Sequence, residues 1–201
     1  MMTSANSQIV SEEITREVSL YGGISIPYLP VDSKNYSSNG WNAGITCGEV
    51  LPQGKVGTSA VFFSAEYTRF AVDRPKVLAA FGGVIASANP TTTLNLMVNY
   101  RGTFSSVSKV FQPYFLFGVG FMHISQGEIS MNAAQTFPTT SATNYTIASG
   151  INNGFSWTAG IGFAVPVNET LSLFFQGRSL LGVVNPTRQS FPINAGIRYR
   201  Y

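Results

Sequence analysis

The chain has 201 residues, of which only 10% are charged and 13% aromatic, with 20 glycines and a net charge of +3. Soluble domains average roughly 25% charged residues, so this composition is too apolar for an ordinary water-exposed surface; mean hydropathy is slightly positive at +0.14. The scattered basic residues argue against a nucleic-acid-binding face, and one His with one Cys leaves no support for a metal site or an intrachain disulfide.

No stretch approaches the roughly 20 apolar residues that a membrane helix needs. The best candidate, 77–88 (VLAAFGGVIASA), is too short and carries two glycines. A membrane protein without spanning helices must satisfy its backbone groups in a closed β-barrel.

Residues 1–15 are polar and read as a flexible N-terminal segment, with the barrel occupying 16–201. They show no basic start and no apolar stretch of a secretory signal, so a barrel reading implies a processed chain. From there the chain alternates with period two, as strands do. In 17–28, Val18, Leu20, Ile24 and Ile26 oppose Glu17, Ser19, Tyr21 and Ser25. In 40–50, Trp41, Ala43, Ile45 and Cys47 oppose Asn42, Gly44 and Thr46; Cys47 reads as a small apolar side chain. In 57–70, Val61, Phe63, Ala65 and Tyr67 oppose Phe62, Ser64, Glu66 and Thr68.

Segment 71–91, with VDRPK at one end and NPTT at the other, breaks the pattern and is taken as a loop, because counting it as a strand gives an odd total. The alternation resumes in 92–103, 112–125, 154–167, 170–181 and 193–201, for eight strands; ten follow if 142–149 contributes another. The connections after the first, third, fifth and seventh strands are mostly long and the others short, as in outer-membrane barrels.

Alternation alone does not say which row faces in. A lipocalin-like soluble barrel places its apolar row inside. The polar rows here hold Gly, Ser, Asn and Thr with few Lys or Glu, which suits a crowded lumen better than a soluble exterior. With the polar row inside, Glu17, Glu66, Arg101, Arg178, Arg198 and Arg200 all face the lumen. Glu66 and Arg178 fall at similar heights in the outer half. Glu17, Arg101, Arg198 and Arg200 lie nearer the other end, and closure of first strand on last brings Glu17 within reach of Arg198 or Arg200. The plain expectation is that a small barrel fills its interior and pairs any buried charge. Trp41, Tyr67, Tyr100, Trp157, Tyr199 and Tyr201 lie towards strand ends and suit membrane-interface girdles.

The segments YGGISIPY, PYFLFGVGF, LSLFFQGR and the terminal NAGIRYRY resemble the eight-stranded transmembrane domain of the outer membrane protein A family and its opacity and adhesion relatives, over roughly 17–201. The resemblance implies an all-β, eight-stranded antiparallel up-and-down barrel in a bacterial outer membrane, in contact with outer-membrane lipid and lipopolysaccharide. It also implies recognition of the terminal aromatic strand by the barrel assembly machinery. In that family an ion pair between the third and seventh strands acts as a gate, and Glu66 and Arg178 match it. No catalytic activity or cofactor is implied, and no peptidoglycan-binding domain follows the barrel, so wall anchoring does not carry over.

Two further expectations complete the reading. His123 and Ser125 share a face, like the His-x-Ser of lipid A deacylase barrels, but the nearest acid, Glu128, is on the opposite parity. The polar loop 126–153 is a candidate surface for a partner.

Overall fold

A computed structural model describes residues 15–29, 37–51, 57–81, 83–104, 111–133 and 145–201. Among them, eleven strands and one helix follow in order: β1 (Thr15–Leu29), β2 (Gly40–Val50), β3 (Gly57–Phe70), α1 (Arg74–Phe81), β4 (Gly83–Ala88), β5 (Thr91–Phe104), β6 (Gln112–Gln126), β7 (Ile129–Ala133), β8 (Tyr145–Ile147), β9 (Gly150–Pro166), β10 (Leu171–Val183) and β11 (Arg188–Arg200). Eight of these close into an antiparallel barrel, β1-β2-β3-β5-β6-β9-β10-β11 and back to β1.

The register explains how the chain sorts its side chains. One rung runs Ile197, Leu20, Ile45, Ala65, Leu96, Phe121 and Phe155 across seven strands. Most of these residues are among the exposed large hydrophobics; Leu20 is 61% exposed. A rung of the other parity runs Asn194, Gly23, Asn42, Thr68, Thr93 and Ile124, and its side chains are buried. A strand has only two faces, so one choice of face places every apolar row outside and every polar row inside. A water-soluble barrel requires the reverse arrangement. The lipocalin-like alternative is therefore overturned: a belt of exposed Leu, Ile, Val and Phe around the whole wall needs an apolar solvent.

The second departure is at 71–91, which is not an irregular loop. Asp73 caps α1, its Oδ1 accepting the Lys76 amide at 3.3 Å, and β4 follows at once. The long connection after β6 supplies β7 and β8, and the three strands form a separate sheet in the order β4-β7-β8. Val77 of α1 is buried against Ile129 and Met131, with Val72, Ile85 and Ile147 packed around them. The apolar run that was too short to cross a membrane thus forms a small core of its own at the end of the barrel where β3 ends and β5 begins. The parity argument stands, because β4 and β8 are strands that do not join the barrel wall. The last long connection is shorter than expected: β10 and β11 extend to leave only 184–187 between them. The expected flexible segment falls on residues outside those described, except that Thr15 already opens β1.

Candidate functional site: the barrel lumen

The lumen carries all six predicted charges, and it sorts them into two groups. At the end where the first and last strands meet, Glu17 is 1% exposed. Its two carboxylate oxygens accept from Arg101 Nη1 at 2.6 Å and Nη2 at 2.7 Å, a fork-to-fork pair. Arg198 Nε lies 3.4 Å and Arg200 Nε 3.5 Å from the same carboxylate, but neither Nε donates a hydrogen bond to it. Closure does bring Glu17 to its neighbours on β11, as the pairing of Glu17 with Arg200 dictates. Its tight partner is Arg101, three strands away in the barrel order. Sequence reasoning missed this pair, because a contact across the lumen depends on barrel diameter, which no periodicity carries.

Further along the lumen, Arg178 of β10 donates to Glu66 Oε2 of β3, and both are buried. Around the pair sit Asn42, Asn95, Asn194, Thr68 and Ser25, each fully or almost fully buried. Their amide and hydroxyl groups have no hydrogen-bond partner among the described residues, and neither has Glu66 Oε1.

Between the two charge groups lies an aromatic layer. Tyr21, Tyr114, Leu116, Ala164 and Phe174 form one buried cluster. Arg101 stacks over Phe62 and Tyr114, Arg198 over Tyr114 and Phe174, and Arg178 over Tyr21, at 5.0–5.8 Å. The inward glycines make room for these rings: a Cβ on Gly162 or Gly196 would come within 2.6 Å of Tyr114 or Phe174. On the other side of the Glu66–Arg178 pair, Met97, Met122, Ile124 and Leu180 form a second apolar cluster. Among the described residues the lumen holds a cavity of about 20 Å³ among the arginines and aromatics and one of about 30 Å³ by Met122 and Ile124, each room for one or two waters. The lumen is a packed interior in which buried charges pair across the barrel and aromatics fill the space between them.

Outside the lumen, Trp41 stacks near Tyr67 at 5.5 Å and Tyr199 near Tyr201 at 6.1 Å, all exposed on the apolar face. Tyr100 donates to or accepts from Ser59 at 2.7 Å. Trp157 sits midway along β9, paired with Val119 and Leu181. His123 Nδ1 contacts Asn153 Oδ1 at 2.6 Å. No hydrogen bond among the described residues joins His123 to Ser125 or to Glu128. Within 126–153, residues 134–144 lie outside those described.

Neither a family model nor a curated protein matches the sequence. Solved structures do match in fold. The outer membrane enzyme PagL superposes with a TM-score of 0.48 at 12% identity, covering 91% of this chain and 98% of that one. Neisserial surface protein A gives 0.51 at 14% identity, covering 94% and 97%. A major outer membrane protein of Thermus thermophilus also gives 0.51, at 12% identity, covering 94% and 100%. From the last two, the chain has the fold of the eight-stranded outer-membrane barrels, over nearly its whole length.

Proposed function

We propose that this chain is a bacterial outer-membrane barrel that keeps its lumen closed and acts through the structure it holds at one end, as a surface-interaction protein. The observation that carries this reading is the pairing of a sealed interior with an ordered sheet-and-helix layer built from two long connections, β4 and α1 from one, β7 and β8 from the other. A barrel with structural duties alone has no need of a second core outside its wall. In this reading the lipid-facing wall contacts outer-membrane lipid and lipopolysaccharide. The aromatics Trp41, Tyr67, Tyr100, Tyr199 and Tyr201 anchor it at the interfaces, with Trp157 set deeper. The terminal strand β11 with its end aromatics addresses the chain to the assembly machinery. Cells displaying the barrel are compared with cells displaying a form lacking 130–148, on host-cell and matrix-coated surfaces. Loss of attachment with unchanged barrel folding supports the reading; equal attachment by both forms, or none by either, sinks it.

The chain is read as a non-enzyme because His123 is held by a neutral amide, Asn153, where a catalytic His needs a carboxylate to orient it. Release of fatty acid from lipopolysaccharide by the refolded protein, abolished in Ser125→Ala, would reverse this. A second reading, a narrow gated conductance, draws on the single Glu66–Arg178 pair in mid-lumen. It requires small discrete openings in planar bilayers that Glu66→Ala or Arg178→Ala enlarges; insertion without conductance in all three forms rules it out.

A further inference from the structure

The structure assigns the arginine-lined cavity inside the lumen to a small monovalent anion of about the size of a water molecule, with chloride as its chemistry. The cavity of about 20 Å³ is lined by Arg101, Arg178 and Arg198, together with the hydroxyls of Ser19, Thr46 and Ser64. All three arginines are at least nine-tenths buried, and the Nε–H of each finds no acceptor among the described residues. Their planar faces are covered by Tyr21, Phe62, Tyr114 and Phe174, and the terminal nitrogens of Arg101 and Arg178 already hold Glu17 and Glu66, which leaves the Nε–H groups as the donors still without a partner. Neither glutamate lines this cavity.

The charge balance points the same way. Around this cavity Arg101, Arg178, Arg198 and Arg200 face two glutamates, Glu17 and Glu66, and three of those arginines share the single carboxylate of Glu17. A buried excess of positive charge is costly unless it is compensated. Cation–π contacts offset part of that cost, and an anion held by three N–H donors and hydroxyls would offset the rest. The volume sets the selectivity: room for one or two waters admits a single halide ion, whereas gluconate and phosphate are too large. Arg200, whose side chain is 27% exposed at the end where β1 begins and β11 finishes, marks the side from which an ion would enter.

The first arm of the test uses the unaltered chain. The refolded protein in uncharged detergent is heated in increasing sodium chloride, and in sodium gluconate at the same ionic strength. Tm is expected to rise with chloride and then saturate, as binding to the folded state alone requires, and to stay flat in gluconate. Crystals grown in sodium bromide are expected to show an anomalous peak inside the cavity. A Ser19→Leu variant, which fills the space without removing a charge, is expected to lose the chloride-specific rise. Identical Tm curves in the two salts, or a bromide-grown crystal with no anomalous peak between the three arginines, would overturn the proposal.

Discussion

Both buried glutamates in this barrel are tied to a specific arginine, Glu17 to Arg101 and Glu66 to Arg178, and these pairs predict how substitutions will behave. Arg178→Ala leaves Glu66 buried and unpaired, and should cost about 3–5 kcal/mol in urea unfolding from lipid vesicles. Replacing both together, with Glu66→Leu and Arg178→Met, should recover most of that loss, because the desolvation of both ions is then removed. The exposed pair Arg16–Glu49, 3.9 Å apart at the barrel rim, belongs to the opposite regime; Glu49→Gln should change stability by less than about 1 kcal/mol in the same assay. That Glu66 and Arg178 would share the lumen at similar heights was legible in the sequence, because the alternation set their face and the strand count set their height; that they would pair came only from the family resemblance. That Arg101 would hold Glu17 with both nitrogens was not, since it depends on the curvature that brings β5 across from β1.

At the scale of the element, the inward glycines of β9 and β11 and the outer sheet carry separate predictions. Gly196→Val pushes its side chain into the Phe174 ring and should cost about 1–3 kcal/mol by overpacking, measured by the urea midpoint. Val77→Asp places a charge in the small core formed by α1, β4 and β7. It should expose that layer to limited proteolysis while the barrel stays folded. The hydrogen bond from Lys76 holds the Asp73 carboxyl below its ordinary value. A lowered carboxylate stabilises the fold above its unfolded-state value and loses that contribution as pH falls through its folded one. The first turn of α1 should therefore show faster amide exchange, relative to its intrinsic rate, at acid pH. The sheet itself escaped the sequence reading because its strands are short and come from connections far apart in the chain. Period-two alternation needs a longer run to stand out.

At the scale of the molecule, the exterior is a continuous apolar wall and the interior a packed set of charges, amides and rings. Leu96, 49% exposed at the middle of its strand, lies in that wall. Leu96→Arg should cost about 2–4 kcal/mol in vesicles, as for a cation at the bilayer midplane of a barrel; an effect near zero would mean that this face does not meet lipid. The same inversion of inside and outside explains why so little space remains in the lumen. With a closed ring of eight strands, inward side chains from opposite walls reach one another, and Tyr21, Tyr114 and Phe174 fill the gap between the two charge groups.

Strand type, the two rows, the even strand number and six of the lumen charges were readable along the chain; Arg188, which also lines the lumen, was not among them. Each of these follows from a local rule, side chains alternating along an extended backbone, and from the scarcity of charge that water would require. Only the tertiary structure decided which arginine holds which glutamate, that the aromatics seal the space between them, and that the outer connections fold on one another. Those outcomes depend on distances across the closed ring and between segments far apart in the chain, and they exist only once β1 has met β11.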